Sequence, residues 1–344
     1  MKEMPIGTAL LSYGMSGEVF HGPLLKAHAG FDIRAVFHRT TASVIRHNYR
    51  ADHSLDDVLT DPAIELVIVN TPNDSHHRYA LEALAAGKHV VVEKPFTVTV
   101  KEADELIELS RKTGKVLSVF QNRRWDADFL TVRSIIEKQV LGKIVEFESH
   151  YDRFRNTIDP TSWKDEPGPG TGLLYNLGSH MIDQVLTLFG MPPFLDARLG
   201  IQRPGGKVHD YYDLRLSYSD KLIILKSSYL VKEQGPRYVV HGTNGSFVKY
   251  GIDPQEEALK SGKIPGSGGW GSEPSSDWGR LNTINVNESI ESIPGNYLAF
   301  YDNIFEAVRR GKPLAVKPEQ SRDVIAIIEA CFESNKSRCA IPML

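Results

Sequence analysis

The chain has 344 residues, 41% of them hydrophobic, with 40 lysines and arginines set against 43 aspartates and glutamates. That length suits two domains with full cores. A net charge of −3 spread without basic runs argues against a nucleic-acid partner, two cysteines rule out a disulfide framework, and no apolar run is long enough for a membrane span.

Cys331 and Cys339 lie outside any metal-ligand spacing and read as thiols in a reducing compartment; no metal is expected. The only apolar stretch near the start, Ile6 to Leu11, is too short for a signal peptide, so a cytoplasmic protein is expected.

The opening reads strand, glycine turn, helix, strand. Ile6 to Leu11 is the first strand, Ser12-Tyr13-Gly14-Met15-Ser16-Gly17 the turn, Val19 to His28 a helix that Pro23 reshapes, and Ile33 to Phe37 the second strand. The turn resembles the Gly-x-Gly-x-x-Gly dinucleotide fingerprint, with Ser12 at the first glycine. Gly14 keeps the role of letting the backbone approach a pyrophosphate, and Gly17 that of packing helix on strand. The second strand ends without a carboxylate for the adenosine ribose. Arg39, about twenty residues past the glycines, stands where a guanidinium pairs with a 2′-phosphate. NADP is therefore favoured over NAD.

Leu66 to Asn70 is an apolar strand ending in Thr71-Pro72-Asn73, and a helix from Asp74 to Ala86 follows, with His76 in its first turn. This strand end is expected to line a cofactor. His89 to Val92 is a further buried strand and runs into Glu93-Lys94-Pro95. A lysine at the carboxyl end of a parallel strand stands where open α/β sheets bind ligands, and it can stabilise an oxygen that gains negative charge. Lys101 to Lys112 is the next helix, and Val116 to Phe120 the strand that leads into Gln121 to Asp126. The boundary is placed here, giving a dinucleotide-binding domain over 1–123 and a second domain over 124–344.

The second domain opens with a helix over Phe129 to Glu137. Strand-like segments follow at Ile144 to Tyr151, Asp196 to Leu199, Tyr211 to Tyr218, Lys221 to Tyr229 and Tyr238 to His241. Several alternate apolar with polar residues, as antiparallel strands with one wet face do. One helix interrupts them: Asn176, His180 and Asp183, spaced four and three apart, share a face and can orient an imidazole for proton transfer. Gly251 to Trp278 is rich in Gly, Pro and Ser but holds two tryptophans, which suggests a loop pinned onto the surface, with Gly262 to Trp278 ordered on the second domain or a neighbouring subunit. Helices over Tyr297 to Arg309 and Pro318 to Ser334 close the chain. The fold class expected is α/β: a doubly wound Rossmann sheet, then an α+β domain with a mostly antiparallel open sheet.

The glycine turn, Asn70-Thr71-Pro72-Asn73 with His76, Ala86-Gly87-Lys88-His89 with Glu93-Lys94-Pro95, and Asn176 to Asp183 together resemble the glucose–fructose oxidoreductase/inositol dehydrogenase/MocA (Gfo/Idh/MocA) family. His241 to Phe247 and Tyr250 to Gln255 are similar to its NADP-dependent scyllo-inositol dehydrogenase subgroup. The resemblance implies hydride transfer between a nicotinamide cofactor and a cyclic polyol or sugar, in a homodimer or homotetramer. It implies that Tyr13, Gly14, Met15, Ser16, Gly17, Arg39, Thr71, Pro72, Asn73, His76, Glu93 and Lys94 bind cofactor. Lys94 would hold the reacting oxygen and His180 would move its proton, in a crevice between the domains, and Lys94-Pro95 could be cis. Many members have aspartate where this chain has Asn176, which leaves Asn176 a supporting role. Asn122, Arg153, Trp163 and Tyr175 are the substrate-pocket candidates. The rivals are a glycosidase or epimerase that retains its cofactor and a non-catalytic NADP-binding regulator.

Overall fold

The computed structural model describes residues 3–37, 50–52, 54–159 and 163–343. The chain folds into two compact units, each assembled from separate stretches. The first takes Met1–Trp125, Gln255–Trp270 and Asn296–Arg322, and the second Asp126–Pro254, Gly271–Gly295 and Asp323–Leu344. The expected cut after 123 falls beside the first crossing point. The return of two late segments to the first unit was not foreseen, because periodicity reports local structure and not which core a segment joins.

In the first unit six strands, β1 (Ile6–Leu10), β2 (Phe31–Phe37), β3 (Arg50–Asp52), β4 (Leu66–Val69), β5 (His89–Val92) and β6 (Leu117–Val119), form one sheet in the order β3-β2-β1-β4-β5-β6. Every pairing is parallel. β1 and β4 are buried at every position, as strands covered by helices on both faces must be. The strand order reverses at β1, between β2 and β4, and a doubly wound sheet binds its ligand beside such a reversal, at the carboxyl ends of the strands. The glycine turn, Thr71-Pro72-Asn73, Glu93-Lys94 and Asn122 follow β1, β4, β5 and β6, so the parallel sheet delivers all four to one edge.

The helix after the glycine turn begins earlier than expected. Ser16–His21 is a wide turn in which the N–H of Gly22 reaches back five residues to Gly17 O, and regular helix follows over Gly22–Ala27. Pro23 has no N–H to give to Val19, so the regular ladder cannot run unbroken through this point. His76–Ala85 starts behind a tight turn at Asn73–Ser75. Val100–Thr113 carries a full capping box between Thr99 and Glu102 and stops at Gly114, whose φ of +65° suits glycine.

The second unit is built on a nine-stranded sheet: β7 (Ile144–His150), β8 (Phe194–Gly200), β9 (Tyr211–Ser217), β10 (Leu222–Ser228), β11 (Tyr238–Gly242), β12 (Gly245–Lys249), β13 (Gly279–Thr283), β14 (Asn287–Ile290) and β15 (Ile341–Pro342). Their order is β14-β13-β12-β11-β7-β10-β9-β8-β15, antiparallel throughout except where β10 pairs with β7. Helices Ala127–Glu137 and Ser179–Phe189 belong to this unit. Tyr212 Oη bonds Met181 Sδ at 2.8 Å and Tyr238 Oη donates to Gln184 Oε1 at 2.8 Å, which fastens the second of these helices to β9 and β11. Beneath it Arg237, fully buried, lies with its guanidinium 4.3 Å from the centre of the Tyr238 ring and 4.6 Å from that of Tyr151. Among the described residues no helix is long and apolar enough to cross a membrane.

The Gly/Pro/Ser-rich stretch departs from expectation. It contains a helix, Gln255–Lys260, and its part up to Trp270 belongs to the first unit, while Gly271 to Trp278 belongs to the second, where the loop was expected. Gln255, fully buried, is the anchor: its Nε2 donates to Trp125 O at 3.1 Å, and its Oε1 accepts from Trp270 Nε1 at 2.9 Å and from Tyr297 N at 2.7 Å. Arg123 donates to Glu256 at 2.6 Å beside it, and Arg124 donates to Ala315 O and Gln320, so this arginine pair is taken up inside the unit.

Candidate active site

In the first unit the glycine turn is built for close approach. A Cβ on Gly17 would stand 2.7 Å from Ser12 O and 3.1 Å from Asn70 Nδ2, so only glycine lets the helix start sit this near the strand ends. A Cβ on Gly14 would meet nothing nearer than Ser12 Oγ at 3.7 Å, and Gly14 and Met15 are exposed. Ser12, the departure from the fingerprint, accepts a hydrogen bond from the Gly14 N–H at 3.3 Å. Asn70 donates to Ser12 O at 2.8 Å and binds the end of β1 to the end of β4. This cradle fits a dinucleotide pyrophosphate. Tyr13 is buried, with its Oη within 2.7 Å of where a Gly22 Cβ would be, so its ring supports the helix and only its main chain remains for a cofactor. Arg39 lies outside the described residues.

Ser75 Oγ donates to Pro72 O at 2.6 Å and bonds Thr71 Oγ1 at 2.7 Å, which holds the loop after β4. His76 is fully buried, and its two ring nitrogens face Pro95 O at 2.8 Å and Thr71 O at 2.9 Å. Through these two bonds the expected cofactor contact ties the loop after β4 to the loop after β5. Burial holds its pKa below the ordinary histidine value, against the pull of the two carbonyls. The Lys94-Pro95 peptide is cis.

Glu93 is nearly enclosed. One carboxylate oxygen accepts from the Lys94 N–H at 3.0 Å, and the other lies 3.0 Å from His21 Nε2. Burial works to raise its pKa, but the hydrogen bond from His21, with the Lys94 charge nearby, outweighs that and brings it below the ordinary value. Glu93 is thus an anion that grips the main chain of Lys94. His21 and its other partner Tyr301 were not singled out in the sequence; they lie 280 residues apart and have no local pattern. Asn122 is buried in the turn after β6.

In the second unit Leu174–Gly178 is another wide turn, closed by the Ser179 N–H bonding Leu174 O, and regular helix runs on over Ser179–Phe189. Such turns recur at functional positions in helices. Asn176 is half-buried and donates through Nδ2 to Tyr229 Oη at 3.3 Å. His180 is 5% and Asp183 2% exposed. Tyr229 carries the Arg203 guanidinium over its ring at 4.9 Å, and Arg203 in turn donates to Asp210 at 2.9 Å and Asp165 at 2.6 Å. Tyr229 and Arg203 are additions to the sequence-derived set. Arg153 lies over the Tyr151 ring at 4.9 Å. Tyr175 is buried against Phe332, at 5.9 Å between ring centres, so its ring fills core space. The Trp163 side chain is outside what is described. Among the described residues no cluster of three or more His, Cys, Asp or Glu could hold a metal.

Residues 6–121 match the family described as "Oxidoreductase family, NAD-binding Rossmann fold", and residues 133–343 match "Oxidoreductase family, C-terminal alpha/beta domain". The chain belongs to the Gfo/Idh/MocA family of oxidoreductases. It is 42% identical over 342 residues to scyllo-inositol 2-dehydrogenase (NADP(+)) IolW of Bacillus subtilis, covering 98% of this chain and 95% of that protein. It is 39% identical to the oxidoreductase YdgJ of Escherichia coli, with 98% of each covered. Among solved structures, the oxidoreductase yvaA of Bacillus subtilis superposes with a TM-score of 0.97 at 41% identity over all of both chains, and an oxidoreductase of Bacteroides fragilis with 0.91 at 45% identity over 98% of this chain and all of that one.

Proposed function

We propose that the protein transfers a hydride between NADP and a secondary alcohol or ketone of a cyclic polyol or sugar, with scyllo-inositol the first substrate to try. The observation that carries this reading is the Glu93–Lys94 pair at the carboxyl end of β5, its main chain gripped by a buried carboxylate. The likeness to a scyllo-inositol dehydrogenase over nearly the whole chain supports the substrate class. NADP is favoured by Arg39 in the sequence and by the cofactor named for that relative.

The nicotinamide supplies the hydride chemistry when bound. The Gly14–Gly17 turn receives the pyrophosphate. Lys94 holds the reacting oxygen and stabilises negative charge on it. His180 takes the hydroxyl proton in oxidation and returns it in reduction. Asn176, an amide, carries no proton and orients by hydrogen bonding. Asn122 and Arg153 are proposed to touch the substrate hydroxyls.

The test is a panel of inositols, other polyols and sugars with NADP and NAD, read at the nicotinamide absorbance. Stoichiometric appearance of NADPH with one cyclic polyol supports the reading. Product formed with no net reduced cofactor would favour an epimerase or glycosidase that retains it, and silence across the panel with tight NADP binding would favour a regulator.

A further inference from the structure

Behind Glu93 runs a chain of hydrogen bonds that ends in the core of the first unit. Tyr301 Oη lies 2.6 Å from His21 Nδ1, His21 Nε2 lies 3.0 Å from one Glu93 oxygen, and the other Glu93 oxygen accepts the Lys94 N–H at 3.0 Å. His21 and Tyr301 are both fully buried. Phe120 packs on the His21 ring at 4.5 Å between centres, and Phe31 and Phe300 meet the Tyr301 ring edge-on at 5.4 and 5.3 Å. Those rings keep water from competing for the polar atoms.

The direction of each bond follows from chemistry. Burial, with Glu93 adding to it, holds the Tyr301 phenol far above its ordinary pKa, so it keeps its proton, and His21 Nδ1, 2.6 Å away, is placed to accept it. An ionised Glu93 can only accept. In a neutral imidazole these two partners place the His21 proton on Nε2 and leave Nδ1 to accept, one tautomer set from both sides. Without Tyr301 that constraint is lost, and the carboxylate facing His21 is free to turn.

We propose that His21 and Tyr301 are positioning residues for the reaction: they lock the Glu93 carboxylate and, through it, the Lys94 main chain in the working geometry. This rests on the reading of Lys94 as the group that holds the substrate oxygen. A carboxylate hydrogen bond is worth about ten- to a hundred-fold in an equilibrium, and the effect of disturbing this one is expected in turnover more than in KM.

Two readouts test it, one of which needs no substrate. In protein labelled with ¹⁵N at histidine and lysine, the His21 resonances should show a protonated Nε2 and a bare Nδ1. The Lys94 amide proton should sit downfield and should move in Tyr301→Phe. In turnover, Tyr301→Phe should lower kcat about tenfold with KM and NADPH affinity within about twofold. His21→Leu should lower it further, and His21→Gln, which keeps an N–H, should recover part of the loss. A protonated Nδ1, or a Lys94 amide unmoved in both Tyr301→Phe and His21→Gln, overturns the relay. So does unchanged kcat in a folded His21→Leu. If the wild type turns over no polyol or sugar, the substrate reading fails, while the resonances still decide the relay.

Discussion

The ring of His209 lies against the bare α-carbon of Gly172: a Cβ there would stand 2.5 Å from His209 Cε1. Gly172 also has a φ of +93°. The same histidine ties down the start of the Asn176–His180 segment, because its O accepts from Leu173 N at 3.0 Å and its Nε2 accepts from Leu174 N at 3.3 Å. Gly172→Ala meets both a steric overlap and a backbone that L residues avoid. It should destabilise the protein by about 1–3 kcal/mol from strain alone, and should lower turnover by shifting His180. A urea unfolding midpoint equal to wild type would show that the ring gives way freely.

The His209 bond from Leu174 requires an unprotonated Nε2. Burial accordingly pushes the His209 pKa down from 6.5 to about 4, and burial with the Lys115 charge does the same to His89 in the first unit. His89 likewise accepts the Val116 N–H at 2.9 Å through Nδ1. Both histidines stay neutral in the fold while the unfolded chain takes up protons below 6.5. Stability is therefore full above that pH and falls between 6.5 and about 4, by up to about 3 kcal/mol for each group at about 1.4 kcal/mol per pKa unit. Urea titrations at pH 7 and pH 5 check this. His89→Gln with His209→Gln should flatten the difference, and an equally steep profile in that variant would assign the acid sensitivity to other groups.

What was legible in the sequence was local. The glycine turn, the β4 and β5 ends and the Asn176–Asp183 face each depend on residues within a few positions, so spacing revealed them. Among the strands not foreseen, β13 and β14 are short and mostly polar: β13 alternates in burial on one large apolar residue, Leu281, and much of Asn287–Ile290 is exposed. The segment around Gln255 was read as loop because its glycines and prolines hid a buried amide that joins Trp125, Trp270 and Tyr297. His21 and Tyr301 were illegible for the same reason: a pair 280 residues apart leaves no pattern.

Gln255 offers a direct test of that anchor. Gln255→Leu takes the Gln255 acceptor from the Trp270 indole N–H and the Tyr297 N–H, while the Trp125 carbonyl keeps the Asn296 N–H at 3.0 Å. The cost of such orphaned buried groups is about 1–3 kcal/mol each, before relaxation. The variant should be clearly less stable and should be nicked by protease between Gly262 and Trp278 where the wild type resists. Equal nicking of both proteins would mean that the stretch is open without help from Gln255.

Cofactor choice is tested at Arg39. Arg39→Ala should weaken NADP binding by about ten- to a hundred-fold, the worth of a charge-assisted hydrogen bond of roughly 1.5–3 kcal/mol, and should leave NAD nearly unchanged. Titration of nicotinamide fluorescence with NADPH and NADH measures both. Equal losses would place Arg39 on a part common to the two cofactors, such as the adenine.

The assignment of Lys94 and His180 to one substrate oxygen predicts a pattern across three variants. His180→Ala should lower turnover by about 10²–10⁴, the usual worth of a positioned acid–base group, with cofactor affinity little changed. Lys94→Ala should lower turnover as well and should also disturb cofactor binding, because Lys94 follows β5 at the same edge of the parallel sheet as the glycine turn. Groups that act on one atom in one step fail together, so the double variant should be little worse than the poorer single variant. Multiplying losses would mean separate roles, with Lys94 serving the cofactor and His180 another proton. Near wild-type turnover in His180→Ala on the true substrate would remove His180 from proton transfer. Asn176, bonded to Tyr229, would then have no imidazole to orient, and the proton would have to pass through Lys94 or the Tyr229 phenol.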